Sequence, residues 1–425
     1  MASIHKGVLI ILDGLGDRPC PRLNGQTPLE AAHTPLLDGL AAKGMCALVD
    51  PLFPGVPVDT HTGIALLMGL PQQAAIDLAR GPVEAAGIGL SLQPGDVAVR
   101  CNFATLKDNK GRLQVVDRRA GRIREETHEL AALLRNVDVG DRITADLHAA
   151  SQHRAVLHLK GFGLSAEISD TDPGAINVGG NILPCRPLSS NPAAAITARA
   201  LNRFIWLAYE RLNASEISER RQRDGSPVAN GIISRSAGKH DQLHTLINHC
   251  GIRAAVIAGE ETVIGLARLF GFKPVQRPEF TAMPDTDLVA KVLATIEALE
   301  HHDFVVMHVK APDVSSHDQK PQEKVDLLER LDREIEPLLA QNTIIAVSGD
   351  HSTDSNQGRH CGEPVPSLLY APQGRADECV AFGERHCLRG GMGRINATAF
   401  LTSMLDNMGA LSTFQQSDGF LFFPK

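Results

Sequence analysis

The residues of this chain that could bind a metal ion come in groups, and each group directly follows a short apolar segment. They are Asp13 after residues 8–12, Asp313 and His317 after residues 304–309, and Asp350, His351 and His360 after residues 343–347. Short apolar runs rich in β-branched residues are typical of buried strands in a parallel sheet. In open α/β sheets, ligands bind beyond the carboxyl ends of the strands. We therefore expect these carboxylates and imidazoles to meet at one edge of a sheet.

The ligand types indicate which metal ions this edge could bind. Carboxylates and imidazoles without a thiolate suit Mn²⁺, Zn²⁺, Co²⁺ or Mg²⁺. Six such ligands exceed the needs of one four-coordinate ion, so the sequence predicts two divalent metal ions with an open position for a phosphate group. Taken singly, Asp13 is explained as well by a turn or helix cap, and His351 by a surface position. The recurrence of ligands after three separate strands favours the metal site.

A loop rich in proline, glycine and hydroxyl residues, 53–63, leads into an apolar segment at 64–69 that predicts a helix. The amino end of such a helix offers backbone N–H groups and a positive dipole end to a phosphate. Thr60 and Thr62 lie at this position. Either hydroxyl could simply cap the helix. Alternatively, one of them could act as a nucleophile whose alkoxide is stabilised by a metal ion.

The order of the elements predicts a mostly parallel sheet with helices on both faces, in an α/β fold. Residues 1–87 and 186–425 alternate between strand and helix patterns, and an amphipathic helix is predicted over 191–212 within this part. Between them, residues 88–185 contain short strands with alternating polar and apolar residues. We expect this segment to form a smaller α+β domain inserted into the larger one.

The inserted segment contains Asp117-Arg-Arg-Ala-Gly-Arg122, in which three arginines fall within five residues. Runs of charge usually form a solvated surface. Guanidinium groups beside a glycine can also make bidentate contacts to a phosphate or a carboxylate.

Composition excludes several classes of protein. The chain has 425 residues, a formal net charge of −7, and 4% aromatic residues, so neither a general DNA-binding surface nor a stacking platform for single strands is expected. Its eight cysteines form no C-x-x-C pair. No apolar run approaches the roughly 20 residues of a membrane helix, and no secretory signal pattern opens the sequence. We expect a cytoplasmic protein that binds neither nucleic acid nor membrane; its oligomeric state is left open.

Several longer stretches of the chain carry specific residue patterns. They are Leu12-Asp-Gly-Leu-Gly-Asp-Arg-Pro19, Arg80-Gly-Pro82, Arg100-Cys-Asn-Phe-Ala-Thr105, Asp117-Arg-Arg-Ala-Gly-Arg122, His153-Arg-Ala-Val156, Ser169-Asp-Thr-Asp-Pro173, His308-Val-Lys-Ala-Pro-Asp313, Asp350-His-Ser-Thr353 and Glu363-Pro-Val-Pro366. Together these stretches resemble the archaeal type of 2,3-bisphosphoglycerate-independent phosphoglycerate mutases, a family within the alkaline phosphatase superfamily. The resemblance extends over nearly the whole chain and implies an alkaline-phosphatase-like fold.

The resemblance also implies how the site residues divide their roles. One metal ion would be bound by Asp13, Thr60, Asp350 and His351, and the other by Asp313, His317 and His360. The inserted domain would close over a small phosphorylated substrate. The residues expected to bind that substrate or assist the reaction are His61, Arg118, Arg119, Arg122, Arg154, Asp172 and Lys310.

The reaction implied by this resemblance is a step of glycolysis. The nucleophile takes the phosphoryl group from 3-phosphoglycerate, the bound glycerate reorients, and the group returns to the 2-oxygen. With Thr60 as nucleophile, the intermediate is a phosphothreonine.

The nucleophile loop departs from the family pattern, which is Gly-Ser-Asp-Thr-Ala-His with serine as nucleophile. Counting back from Gly69 without a gap puts Thr60 at that serine, His61 at the aspartate and Ile64 at the histidine. Thr62 is the second candidate nucleophile. Two alternatives therefore accompany the mutase: a relative that acts as a phosphatase, phosphotransferase or phosphonate-processing enzyme on another small metabolite, and an inactive binding or regulatory relative.

Overall fold

The computed structural model describes residues 4–411 apart from 175, 176, 178 and 240–242. The chain divides into two compact units. Unit 1 consists of Met1–Asp77 and Leu243–Lys425, and unit 2 consists of Leu78–Gln242. Within the described residues, no helix has both the length and the apolar character that a membrane span requires.

Unit 1 contains strands and helices in alternation. Its first part has β1 (Gly7–Leu12), α1 (Pro28–Ala31), α2 (Pro35–Ala41), β2 (Met45–Asp50), α3 (Thr60–Leu67) and α4 (Gln72–Ile76), with a 3₁₀ turn at Pro21–Leu23. Unit 2 follows in the chain with α5 (Arg80–Gly87), β3 (Val97–Asp108), β4 (Leu113–Asp117), a 3₁₀ turn at Ala120–Arg122, α6 (Thr127–Ala132), β5 (Val137–Asp138), β6 (Thr144–Ala149), β7 (Arg154–Lys160), α7 (Pro192–Asn213), α8 (Glu216–Arg223) and β8 (Gly231–Lys239).

The second part of unit 1 completes its sheet. It has α9 (Leu246–His249), β9 (Ala254–Ile257), α10 (Glu261–Leu269), β10 (Lys273–Val275), α11 (Leu288–His301), β11 (Phe304–Val309), α12 (Ala311–His317), α13 (Pro321–Glu334), α14 (Glu336–Leu339), β12 (Ile344–Ser348), β13 (Ser352–Asp354), β14 (Arg359–Cys361), β15 (Val365–Tyr370), α15 (Glu384–Cys387), β16 (Gly393–Asn396) and α16 (Ala397–Asn407).

The sheet of unit 1 has eight strands in the order β10-β9-β11-β1-β12-β15-β2-β16. β15 runs antiparallel to both of its neighbours, and the other pairings are parallel. Every residue of β1, β11 and β12 is buried, so both faces of the central sheet are covered. The predicted α/β fold with a mostly parallel sheet is confirmed.

The register of the three central strands positions the residues that follow them. Leu12 is paired with Val309 of β11, and Ile11 is paired with Ser348 of β12. Continued past the strand ends, this register sets Asp13 beside Lys310 on one side and beside Asp350 on the other.

Unit 2 is built on an antiparallel sheet with strand order β4-β3-β7-β6-β5, and β8 pairs with β3. One face carries α7, whose Leu201 and Phe204 share an apolar core with Val97 and Val99 of β3. The intervening Ala98 points to the other face and packs with residues of α5 and β7.

The predicted limits of the inserted domain, 88 and 185, are too narrow. α5 begins at Arg80, and both α7 and β8 belong to unit 2 although they lie beyond residue 185. The amphipathic pattern of α7 shows that the helix covers an apolar surface, but it does not show which sheet provides that surface. Similarly, the strand pattern of β8 does not predict that this strand pairs with β3.

A buried ion pair connects α13 to the loop after β1. The ammonium group of Lys324 donates to Asp17 Oδ2 at 2.9 Å and to the Gly14 carbonyl at 2.8 Å. Both charged side chains are fully buried. The backbone N–H of Ser355 donates to the other oxygen of Asp17 at 2.9 Å, so this carboxylate also holds the chain that follows β13.

We predict that Lys324→Met lowers the free energy of unfolding by about 3–5 kcal/mol, because the Asp17 carboxylate would stay buried without its cation. Urea unfolding followed by circular dichroism measures this loss. The matched control is Lys320→Met, which removes a solvent-exposed ammonium paired with Glu323 and should have little effect on the free energy of unfolding. Equal losses in the two variants would contradict the prediction.

Candidate metal and phosphoryl-transfer site

The first group of predicted ligands meets at the carboxyl edge of the unit 1 sheet. Asp13, Asp350 and His351 each place one ligand atom within 4.8 Å of the others, and all three are buried. His351 Nε2 lies 3.4 Å from Asp13 Oδ1 and 3.2 Å from Asp350 Oδ2. The backbone N–H of Gly14, at the turn after β1, donates to Asp350 Oδ1 at 3.1 Å. The neighbouring positions of β1 and β12 therefore bring these residues together.

A second group adjoins the first. Asp313, His351 and His360 place their ligand atoms within 4.8 Å of one another. Asp313 Oδ1 lies 3.6 Å from His360 Nε2 and 3.4 Å from His317 Nε2. The His351 and His360 rings stack with their centroids 3.7 Å apart. His351 thus belongs to both groups, whereas the sequence interpretation placed it only with Asp13 and Asp350.

The nucleophile loop delivers one hydroxyl to these groups. Thr60 is the first residue of α3, and its Oγ1 lies 3.3 Å from His351 Nε2 and 3.2 Å from Lys310 Nζ. The Thr62 hydroxyl instead lies 3.5 Å from His61 Nε2. Gly63 lets α3 approach the segment that follows β12, because a Cβ at this position would lie 2.1 Å from the Asp350 carbonyl oxygen. The structure thus favours Thr60 over Thr62 as the hydroxyl nearest the metal ligands.

The three histidines share a hydrogen-bonding pattern that suits metal binding. Nδ1 of His317 donates to the Gly358 carbonyl at 2.7 Å, and Nδ1 of His360 donates to the Val58 carbonyl at 2.8 Å. Since a carbonyl can only accept, Nδ1 carries the proton in both rings. In the neutral imidazole, Nε2 then offers its lone pair towards Asp313. Partners of this kind fix the tautomer and orientation of metal-binding histidines.

Thr353 gives His351 the same orientation and was not identified from the sequence. Its hydroxyl donates to Asp313 Oδ1 at 2.7 Å and lies 3.1 Å from His351 Nδ1. Because the hydroxyl proton goes to Asp313, its oxygen accepts from Nδ1–H of His351. Nε2 of His351 is left with a lone pair that faces Asp13, Asp350 and Thr60.

Lys310 supplies the positive charge nearest to the carboxylates. Its ammonium group donates to Asp13 Oδ1 at 2.9 Å and to Asp313 Oδ2 at 2.7 Å. Burial alone would raise the pKa of both carboxyl groups, but with Lys310 beside them the pKa of each is lowered. Burial also opposes the charge on Lys310, yet Asp13 and Asp313 raise the pKa of this lysine.

The third carboxylate, Asp350, forms no ion pair with Lys310. Burial, followed by the negative charge of Asp13, raises the pKa of Asp350 well above its ordinary value. Among the described residues, Asp350 Oδ2 accepts no hydrogen bond. Burial also lowers the pKa of His351 to about 3, so this imidazole is neutral. Three carboxyl groups converge here beside one ammonium and the neutral ring of His351, and a site of this kind fits divalent cations.

His308 is a further residue that the sequence motif contained without a role. It lies on β11, is fully buried, and its Nε2 lies 3.0 Å from Asp13 Oδ2. Asp13 is therefore held from two sides, by His308 and by Lys310. The signal in the sequence was the position of His308 two residues before Lys310, at the carboxyl end of the apolar run that forms β11.

Unit 2 contains an arginine cluster that is larger than predicted. Arg118 donates to both oxygens of Asp172, at 2.9 Å for Nε to Oδ1. Burial, followed by the neighbouring charges of Arg122, Arg118 and Arg154, lowers the pKa of Arg119. The predicted Arg118, Arg119, Arg122 and Arg154 thus lie near one another in unit 2.

Three more arginines, which the sequence analysis did not assign to the site, join this cluster: Arg80, Arg100 and Arg235. Arg100 is almost fully buried, and its Nε lies 3.0 Å from Glu84 Oε1. Burial lowers the pKa of Arg100 to about 9 with the help of the neighbouring charges of Arg80 and Arg235, although Glu84 opposes this change. These residues come from α5, β3 and β8, which are far apart in the sequence. The excess of guanidinium over carboxylate groups makes the cluster suited to a small anion.

Comparison with known proteins gives the family. A family model described as 2,3-bisphosphoglycerate-independent phosphoglycerate mutase matches residues 41–218. Proteins with this name from Methanopyrus kandleri and Ignicoccus hospitalis are 37% and 40% identical to the chain. The alignments cover 97% of this chain and 99% of the first relative, and 94% of this chain and 97% of the second. The chain belongs to this family.

Solved structures agree with this 2,3-bisphosphoglycerate-independent phosphoglycerate mutase family. A structure of a protein from Pyrococcus horikoshii superposes with a TM-score of 0.80 at 33% identity, covering 96% of this chain and 98% of that chain. The cofactor-independent phosphoglycerate mutase from Thermoplasma acidophilum gives 0.68 at 29% identity, covering 96% and 100%. The family predicted from the motifs is confirmed, and with it the prediction of an enzyme.

We predict that Thr353→Val weakens the binding of Mn²⁺ by roughly 10–100-fold, because His351 and Asp313 lose the hydroxyl that orients both of them. Isothermal titration of the metal-depleted chain measures the affinity. Thr353→Ser keeps the hydroxyl and serves as the control, with an affinity close to that of the unaltered chain. A Val variant that binds Mn²⁺ as tightly as the Ser variant would show that Thr353 does not orient the ligands.

Proposed function

We propose that this chain interconverts 3-phosphoglycerate and 2-phosphoglycerate, the glycolytic mutase reaction, in the cytoplasm. The observation that carries this proposal is the position of the Thr60 hydroxyl. It lies between the Lys310 ammonium and His351 Nε2, next to two groups of metal-ligand side chains. A hydroxyl in this setting is suited to receive a phosphoryl group and to release it again.

The reaction proceeds in two transfers. In the first, Thr60 Oγ1 forms a bond to phosphorus while the bond from phosphorus to the 3-oxygen of the substrate breaks, and the Thr60 proton is balanced by a new hydroxyl on glycerate. In the second, the 2-oxygen of the reoriented glycerate bonds to phosphorus, and the bond to Thr60 breaks. The glycerate loses a hydroxyl proton and Thr60 regains one, so the two transfers sum to an isomerisation through a phosphothreonine.

Two divalent metal ions are part of this proposal. Asp13, Thr60, Asp350 and His351 would hold one, and Asp313, His317 and His360 would hold the other; His351 lies close to both groups. Mn²⁺, Zn²⁺, Co²⁺ and Mg²⁺ all suit such ligands. When bound, such ions lower the pKa of a nucleophile and neutralise charge on the transferred group.

The chain itself stabilises charge at the nucleophile. Lys310 donates to Thr60 Oγ1 at 3.2 Å and so favours the negative charge that develops there. Thr60 also begins α3, where the positive end of the helix dipole acts in the same direction. These contributions come from two different elements, and both are aimed at the same oxygen.

The arginine cluster of unit 2 is the proposed binding site for the other charges of the substrate. A phosphoglycerate carries a carboxylate besides its phosphate, and guanidinium groups bind both anions bidentately. Arg119, Arg122 and Arg154 are the proposed anion contacts, and Asp172 orients Arg118. His61, next to the nucleophile, is proposed to contact the substrate as well.

We predict that Thr60→Ala lowers the rate of 2-phosphoglycerate formation by roughly 10⁴–10⁶-fold, as loss of a nucleophile does. An enolase-coupled assay with Mn²⁺ measures this rate. Thr62→Ala is the matched control and should keep most of the activity, since its hydroxyl faces His61. Thr60→Ser retains a hydroxyl and should remain active.

Two results would contradict the proposed function. If the unaltered chain forms no 2-phosphoglycerate with any of the four metals, the mutase reaction is wrong. Release of inorganic phosphate from 3-phosphoglycerate in place of the isomer would identify a phosphatase, in which water removes the group from Thr60.

A further inference from the structure

Unit 2 carries another group of metal-ligand side chains, separate from the arginine cluster. Asp146 and His148 lie two residues apart on β6, so their side chains leave the same face of the sheet. His158 of β7 is directly opposite Asp146 in the antiparallel register. One ligand atom from each of the three residues lies within 4.8 Å of the others.

The sheet makes a rigid support for this group. Leu147 and Leu157 point to the opposite face and are fully buried in the core of unit 2. Ligands on paired strands keep their spacing because the ladder of backbone hydrogen bonds fixes it. The three donors are therefore positioned by the fold and need no rearrangement of the backbone to converge.

A fourth residue orients one of the imidazoles. Asp96 Oδ2 lies 2.7 Å from His158 Nε2, and both side chains are buried. A carboxylate at one ring nitrogen keeps the proton there and leaves the lone pair on the other nitrogen. This pairing of carboxylate and histidine is typical of metal sites, in which it sets the tautomer of the ligand.

His148 and Asp146 each accept a hydrogen bond from a positively charged side chain. Arg135 Nη1 lies 3.1 Å from His148 Nε2. Because a guanidinium can only donate, this nitrogen offers a lone pair. The ammonium group of Lys160 donates to Asp146 Oδ2.

We propose that Asp146, His148 and His158 bind one divalent transition-metal ion, such as Zn²⁺ or Co²⁺. Two imidazoles and one carboxylate form a donor set that these ions favour, and three protein ligands leave a coordination position for water. Lys160 and Arg135 contact the ligand atoms that the metal ion would bind. The Lys160 side chain is 38% exposed and that of Arg135 is exposed, so both can turn into solvent when the ion binds. The bound ion connects β6 to β7.

The test counts Zn²⁺ ions bound per full-length chain by equilibrium dialysis across a range of buffered free Zn²⁺ concentrations. His148→Ala should bind one ion fewer than the unaltered chain. His128→Ala is the matched control, because this histidine is exposed on α6 of the same unit and lies outside the group. An equal number of bound ions in these two variants would overturn the proposal.

A second variant keeps the test decisive if His148→Ala folds poorly. Lys160→Met removes the cation that competes for Asp146, so the affinity of this site for Zn²⁺ should increase by about tenfold or more. Misfolding cannot produce tighter binding. Unchanged or weaker binding in Lys160→Met would show that the group is an ion-pair network and binds no metal. Neither variant touches the residues around Thr60, so the result is independent of the proposed mutase reaction.

Discussion

Three buried carboxylates dominate the carboxyl edge of the unit 1 sheet. Asp13, Asp313 and Asp350 follow neighbouring strands, so the pairing of β1 with β11 and β12 forces their charges together. Like charges in a buried site repel, and each also loses the solvation of water. The single ammonium of Lys310 contacts Asp13 and Asp313. Asp350 is left with a raised pKa, so one lysine does not balance the charge. Further positive charge would relieve this repulsion, which is why the edge suits divalent cations.

The same constraint explains the residues around the carboxylates. Thr353, Gly358 and Val58 each bind an Nδ1 atom, and in this way three imidazoles turn their Nε2 lone pairs inward. Further out, Lys324 and Asp17 neutralise each other and fix the loop after β1. The hydrogen bonds to Nδ1 thus orient the imidazoles towards the carboxylates, and the more distant ion pair fixes the loop that follows Asp13.

Sequence patterns were sufficient to predict the central strands and the convergence of the carboxylates and imidazoles that follow them. Apolar runs of five or six residues define β1, β11 and β12, and parallel pairing then requires that Asp13, Asp313 and Asp350 converge. The limits of unit 2 could not be predicted in this way, because the amphipathic pattern of α7 does not specify which sheet it covers. Arg100 stood in a quoted stretch and Arg235 in none, but neither was assigned a role, because only the pairing of β3 with β8 brings these two arginines together. The position of Thr353 was visible in its motif, but its role depends on two hydrogen bonds that no spacing reveals.

The loop around Thr60 departs from the family pattern, but the side chains nearest to the Thr60 hydroxyl come from other parts of the chain. His61 and Ile64 stand where the family pattern has aspartate and histidine, so the loop itself contributes fewer polar groups. The two groups nearest to Thr60 Oγ1, however, are Lys310 beyond β11 and His351 beyond β12. Both are positioned by the central sheet and owe nothing to the sequence of the loop. What the loop must provide is a hydroxyl at the start of α3 and a close approach to the segment that follows β12, and Gly63 allows that approach. The surroundings of the Thr60 hydroxyl therefore depend on the register of three strands, and the rest of the loop can vary without changing these two contacts.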